Sequence, residues 1–207
     1  MAAVLTADIV NSTHLTKAQE KKLMDTITHW LASGKYEFYR GDSFQVYLKD
    51  ASVALRVLLG CRLAARRLVG EASAAYFDVR AGIGIGAVQQ PVRTLRTATG
   101  EAFVLSGRSF DELAGGRRLL TIQTPDPLAN QGLNVISYFI DYLFQQMTPK
   151  QAAVIYELIA GLNQREAAKK LRKTQSTINK HVQASGWEEL VRLLAAYEQL
   201  SSVIKSS

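Results

Sequence analysis

The 207-residue chain has one cysteine and four prolines, and no apolar run approaches the roughly 20 residues that a membrane helix needs. A single cysteine, Cys61, excludes a disulfide framework within the chain and favours a reducing compartment. The first ten residues lack the basic start of a signal peptide, and an aspartate interrupts their apolar run. We therefore expect a cytoplasmic protein without a membrane segment.

Acidic residues are also scarce, since 18 Asp and Glu stand against 25 Lys and Arg. The resulting net charge of +7 favours an anionic partner such as nucleic acid, a nucleotide or an acidic surface. Hydrophobic residues make up 47% of the chain, which suits a globular protein that buries a core.

The apolar patterns predict an α+β protein with two folded parts. Over residues 1–125 they follow one another as strand, helix, strand, strand, helix, strand, helix and strand. This order is typical of a ferredoxin-like antiparallel sheet of the cyclase or palm type, with an appended unit. A connector helix is expected over 126–146 and an all-α domain over 147–207.

Two aspartates indicate a metal site at one edge of the predicted sheet. Asp8 interrupts an apolar strand, and Asp42 lies in the Gly-Asp turn of a predicted hairpin, FYRGDSFQVYL. An unpaired buried carboxylate costs about several kcal/mol or takes up a proton, and two converging carboxylates repel each other. Mg²⁺ would suit such a pair. A hydrogen-bonded strand-end aspartate and a plain turn residue are the alternatives at this point.

Four motifs in this half resemble those of class III nucleotidyl cyclases. LTADIVNST is similar to their metal-binding first strand, RGDSF to their hairpin Gly-Asp, VRAGIGIGAV to their glycine-rich strand and GEAFVLSGR to a helix ending in a transition-state arginine. The resemblance implies that Asp8, Ile9 and Asp42 bind Mg²⁺ or Mn²⁺ with a nucleoside triphosphate, and that Arg108 is catalytic. It also implies a homodimer in which Arg108 of one chain faces the aspartates of the other.

Two positions depart from the cyclase pattern. Val104 stands where the cyclases have an asparagine, and Phe38 stands where they have a purine-selecting lysine. These changes favour a degenerate, sensing site over an active cyclase or related phosphotransfer enzyme, which is the alternative. GDSFQ, RAGIGIGAV and GEAFVLSGR resemble more closely still the SatD-like proteins, a bacterial family in which a cyclase-like domain precedes a helix-turn-helix.

The C-terminal part carries the pattern of such a helix-turn-helix. A helix capped by Thr148 is followed by helices near Gln164–Leu171 and from Gln175, the last capped by Thr174. In this motif the second helix of the pair presents its first residues to base edges in the major groove. LNQREAAKKLRKTQSTINKHV resembles the helix-turn-helix of LuxR-type regulators and of sigma-factor region 4.

The residues expected to contact DNA carry cationic, amide or hydroxyl groups, which suit phosphates and base edges. They are Arg165, Lys169, Lys173, Gln175, Ser176, Thr177, Asn179 and Lys180. A helical bundle with a solvated basic face is the alternative. The sequence thus predicts a DNA-binding transcription regulator whose partner is double-stranded DNA.

Overall fold

The computed structural model describes residues 1–39, 41–68 and 76–204, so that Arg40 of the predicted hairpin lies outside the described residues. In this part of the chain a five-stranded mixed sheet and eight α-helices confirm the α+β class. The strands are β1 (Ala2–Val10), β2 (Lys35–Tyr39), β3 (Ser43–Leu48), β4 (Asp78–Gly86) and β5 (Leu120–Gln123). The helices are α1 (Lys17–Leu31), α2 (Ala54–Arg66), α3 (Glu101–Asp111), α4 (Pro127–Gln146), α5 (Pro149–Ile159), α6 (Gln164–Leu171), α7 (Gln175–Ala184) and α8 (Trp187–Val203).

The strands are ordered β2-β3-β1-β4-β5 across the sheet. β1 is central and antiparallel to both β3 and β4, whereas β5 is parallel to β4. The parallel pair requires a crossover connection, which α3 supplies. Strands and helices follow one another along the chain in the order that the sequence patterns predict.

The two faces of the sheet have different chemistry. In β1, Leu5 and Ile9 join the main hydrophobic core with α1 and α2. Their neighbours Thr6 and Asp8 point to the opposite face because side chains alternate along a strand. On that opposite face a small second core forms around Val4 beneath α3. The remainder of the face carries polar side chains, and this places Asp8 beside solvent.

Alternating glycines in β4 let α3 lie directly on the strand. A Cβ atom on Gly84 would stand 2.2 Å from the carbonyl oxygen of Ala102, and one on Gly82 would stand 2.4 Å from the amide nitrogen of Phe110. Both neighbours are backbone atoms of α3, which cannot turn aside as a side chain can. The glycine pattern therefore fixes the distance between α3 and the sheet.

The C-terminal helices share the main hydrophobic core with the sheet. The indole Nε1 of Trp30 in α1 donates to Tyr156 Oη of α5 at 3.3 Å, and the two rings meet edge to face. Tyr197 of α8 donates its buried hydroxyl to the Ala51 carbonyl at 2.7 Å. Of the helices in the described part of the chain, none combines the length and hydrophobicity needed to cross a bilayer.

The substitution Gly84→Ala should destabilise the protein, because its methyl group would overlap the backbone of α3. Overpacking of this kind costs about 1–3 kcal/mol and occasionally more. The measurement is the free energy of unfolding from urea titration followed by circular dichroism.

Gly107→Ala is the matched control for this experiment. Gly107 lies in α3, the helix that packs on Gly84, and a Cβ atom at Gly107 would meet nothing within 4 Å. Since alanine favours a helix over glycine by about 0.5–1 kcal/mol, this variant should be as stable as the wild type or more so. Equal stability of the two variants would contradict the close-approach explanation.

Candidate nucleic-acid interface and acidic sheet edge

Helices α6 and α7 lie where the sequence predicts a helix-turn-helix. Ala167 and Ala168 are the buried residues of α6, and Ile178 and Val182 are those of α7. Alanine side chains on α6 leave room for the branched side chains of α7, while α5 packs against both helices. The buried residues lie on one side of each helix, so the polar residues remain on the outside.

The turn between the two helices is short and well defined by hydrogen bonds. Arg172 adopts a left-handed conformation with φ of 52°, and the Lys173 amide donates to the Ala168 carbonyl at 2.9 Å. This arrangement closes the C-terminus of α6 in the manner of a Schellman-type cap. The Thr174 hydroxyl then accepts from the Thr177 amide at 3.1 Å and begins α7.

Seven of the eight predicted DNA-contacting side chains are exposed. They are Arg165, Lys169, Lys173, Gln175, Ser176, Asn179 and Lys180. Thr177 is half-buried, and its hydroxyl lies 2.9 Å from that of Thr174. The first two turns of α7 therefore expose Gln175, Ser176 and Asn179, whereas the hydroxyl of Thr177 belongs to the cap.

Positive charge is concentrated in this segment. Residues 148–186 contain seven Lys or Arg and two Glu. Both glutamates have partners, because Glu166 accepts from the Asn163 amide at 2.8 Å and the buried Glu157 pairs with Lys170 at 2.7 Å. The remaining basic side chains near α7 form no ion pair within 4 Å among the described residues; they are Arg165, Lys169, Arg172, Lys173 and Lys180.

A buried ion cluster fixes the helix that leads into this segment. Arg62 of α2 is 1% exposed and bridges Asp78 at the start of β4 (2.9 Å) and Asp141 of α4 (2.7 Å). Burial disfavours the charged guanidinium, but the two aspartates outweigh it and raise the pKa of Arg62 above its ordinary value. The sequence analysis missed this cluster, although each residue is an isolated charge in an apolar run.

At the acidic sheet edge, Asp8 is paired with an arginine. Asp8 and Arg80 are register partners on β1 and β4, and Arg80 reaches both carboxylate oxygens, with 3.1 Å between Nε and Oδ1. The two side chains are 21% and 28% exposed. The Arg80 guanidinium also lies 5.1 Å from the ring centre of Phe110 in α3. The positive partner that the sequence requires for Asp8 is therefore supplied by the chain itself.

Asp42 lies at the same edge and connects the hairpin to the end of β1. Its carbonyl accepts from the Ile9 amide at 3.0 Å, and its carboxylate accepts from the Ser12 hydroxyl at 2.7 Å and from the Ser43 hydroxyl at 3.3 Å. The backbone of Asp42 thus lies beside the end of β1 that carries Asp8, and each carboxylate already has hydrogen-bond donors.

Arg108 forms no ion pair within 4 Å with Asp8 or Asp42 in the described part of the chain. The buried residues of α3 are Ala102, Ser106 and Ser109, which face the sheet. Arg108 is exposed, as is Val104 one turn before it, which is 50% exposed. Both side chains therefore point outward, and Arg80 is the arginine that reaches the aspartate.

The fit of this edge to a divalent cation depends on Arg80. A cation at Asp8 must displace the guanidinium, because both carboxylate oxygens accept hydrogen bonds from it. In residues 1–39, 41–68 and 76–204 no three His, Cys, Asp or Glu side chains gather in a way that could hold a metal ion. As arranged, the edge does not fit a resident metal ion.

Comparison with known proteins gives no further assignment. Neither a protein-family model nor a curated protein sequence matches this chain.

Removal of the Arg80 side chain should expose the acidic edge to cations. Arg80→Ala frees both oxygens of Asp8, and a charge-assisted bidentate contact is worth about 1.5–3 kcal/mol. We expect the variant to bind Mn²⁺, with and without ATP, about 10- to 100-fold more tightly than the wild type in isothermal titration calorimetry.

Two further variants control for the change in charge. Arg93→Ala removes one positive charge from an exposed loop and should bind Mn²⁺ as the wild type does. Arg80→Ala/Asp8→Asn lacks the freed carboxylate and should lose the gain. Tight Mn²⁺ binding by the wild type, unchanged in Arg80→Ala, would show that Arg80 does not compete for the site.

Proposed function

We propose that this protein is a DNA-binding transcription regulator that contacts double-stranded DNA through α6 and α7. The observation that carries the proposal is the start of α7, where exposed Gln175, Ser176 and Asn179 lie among cationic side chains that have no ionic partner among the described residues. Glutamine and asparagine can form bidentate hydrogen bonds with adenine. The N-terminal turn of the second helix is the part of such a motif that reaches base edges.

The charge distribution supports phosphate binding by the same surface. Arg165 and Lys169 lie on α6, Lys173 lies in the turn and Lys180 lies on α7, so the cations flank the proposed reading residues on both sides. Neutralising phosphates with such residues releases condensed counterions, and binding then weakens as salt is added. A merely solvated basic face would need no amide-bearing residues at its centre.

We propose further that the sheet has the ferredoxin-like, cyclase-type arrangement and acts as a sensor. The order β2-β3-β1-β4, with β1 antiparallel to both neighbours, supports this assignment. The proposed ligand is a nucleoside triphosphate with Mg²⁺ or Mn²⁺ at Asp8, Ile9 and Asp42, and it can bind only after Arg80 has moved. A regulator of this kind works in the cytoplasm, to which the single buried Cys61 is suited.

Cyclase activity is not supported by the geometry of α3. Val104 has no hydrogen-bonding group on its side chain, and losing one transition-state donor typically costs about 10²–10³ in rate. Within one chain it is Arg80, not Arg108, that pairs with Asp8, while Arg108 is exposed. The sensing role is therefore proposed without a catalytic step.

Lys180→Ala should weaken binding to duplex DNA similarly for all sequences. It should also reduce the slope of log K against log salt by about one, because one phosphate contact is lost. Asn179→Ala or Gln175→Ala should instead change sequence preference, by about 1–3 kcal/mol at one base pair. The measurements are fluorescence anisotropy over a salt series and selection from random duplexes.

Lys21→Ala is the matched control, since Lys21 is an exposed lysine of α1, outside the helix-turn-helix. It removes the same charge and should leave the salt slope unchanged. If the wild type selects no sequence and binds no duplex even at low salt, the regulator proposal is wrong.

A further inference from the structure

The outward face of α4 is an unusual surface for a helix at the outside of a protein. Five of the ten large hydrophobic side chains that the described residues leave exposed lie on this one helix. They are Leu128 (75%), Val135 (67%), Tyr138 (53%), Phe139 (42%) and Tyr142 (55%). We call these five side chains the α4 stripe.

The single charged residue of α4 faces the protein interior, whereas a solvated helix carries its charges on the outer face. Asp141 is the one charged residue among positions 127–146, and it is buried against Arg62. The inner face buries Leu133, Ile136 and Ile140. The outer face of α4 therefore combines large apolar side chains with Gln131 and Asn134 and carries no charge. An exposed apolar patch of several hundred Å² is typical of an interaction site.

The spacing of the stripe points to a helix of the same kind as the partner. Leu128, Val135 and Tyr142 recur every seven residues, and Gln131 and Tyr138 follow the first two by three. These are the a and d positions of a two-helix seam. Because the stripe has no charge, it cannot attract a differently charged partner by electrostatics. It can, however, pack against its own copy without placing like charges opposite each other along the seam.

The exposed area is sufficient for a modest dimer. With 150–250 Å² per large side chain, the exposed fractions leave roughly 400–700 Å² in the stripe of one protomer. Two copies would bury about twice that area, which reaches the lower part of the range for specific interfaces. For comparison, the largest apolar patch on a typical monomer is about 300–600 Å², so the stripe of one protomer is at least as large as such a patch.

We infer that the protein is a homodimer whose two α4 stripes pack against each other across a two-fold axis. This interface differs from the cyclase-type dimer, which would bring Arg108 of one chain to Asp8 and Asp42 of the other. It also requires no DNA, so a test of this interface does not depend on whether the proposed function is correct.

Salt dependence separates the two interfaces. Each chain carries a net charge of +7, and Arg118 lies 3.8 Å above the ring of Tyr138 at the margin of the stripe. The seam itself carries no exposed charge, but two chains of net charge +7 repel each other as they approach, and salt screens that repulsion. Dimerisation through the α4 stripe should therefore strengthen as salt is added, whereas an interface held by arginine and aspartate should weaken.

The experiment is sedimentation velocity of the full chain over a concentration series, with two matched variants. Val135→Lys places a charge at the centre of the stripe and should raise the dimer dissociation constant by at least about tenfold, because two like charges would face each other. Val203→Lys makes the same change at a valine of α8 that is 64% exposed, and it should leave the constant unchanged. Circular dichroism checks that both variants fold.

Cysteine cross-linking tests the same contact by proximity. The central residue of the stripe meets its own copy whether the helices run parallel or antiparallel, so Val135→Cys should form a disulfide-linked dimer under mild oxidation. Val203→Cys should not, and the native Cys61 is fully buried with a raised pKa, which leaves the wild type unreactive.

Several results would overturn the inference. They are a wild type that stays monomeric at high micromolar concentration, a Val135→Lys variant that dimerises as tightly as the wild type, and a dimer that weakens with salt.

Discussion

The buried guanidinium of Arg62 is the contact on which the placement of the sheet and of α4 depends. It pairs with Asp78 at the start of β4 and with Asp141 on α4, and Asp141 also accepts the amides of Leu119 and Leu120 where β5 begins. Desolvation of three charges offsets most of their attraction, so the net gain in stability is small. Any arrangement that separates them would leave an unpaired buried charge, so α2, β4, β5 and α4 are held in one arrangement.

The position of the C-terminal helices depends on this arrangement. Arg66, one turn after Arg62, donates to the carbonyls of Phe144 and Met147 at the C-terminus of α4, at 2.6 and 2.9 Å. Beyond that point Tyr156 of α5 contacts α1 and α2 through Trp30 and Arg67. The surface proposed to contact DNA is thus attached by packed side chains.

Local patterns in the sequence predicted the elements, whereas long-range pairing needed the structure. The caps at Thr148 and Thr174 depend on residues within three positions, and both are present in the predicted places. The glycines of β4 likewise indicated a close backbone approach, because their alternation along the strand can be seen in the sequence itself. The pairing of Asp8 with Arg80 depends on strand register over 72 positions, which composition and periodicity do not encode. The parallel pairing of β5 and the outward face of α4 likewise follow from tertiary packing.

An isolated charge in an apolar segment predicts that an oppositely charged partner exists. Whether the partner is a metal ion or a side chain depends on how many ligands are available at the site. Such partners are present for Asp8, Arg62 and Asp141, each of which forms an ion pair. A divalent cation prefers six or more oxygen ligands, whereas one planar guanidinium satisfies both oxygens of a single carboxylate. The acidic edge brings together two aspartates, and Asp42 already accepts two hydroxyl groups. The ligand count therefore favours the guanidinium at Asp8. Because Arg80 is held on the neighbouring strand at a high effective concentration, a free cation must compete with it at every encounter.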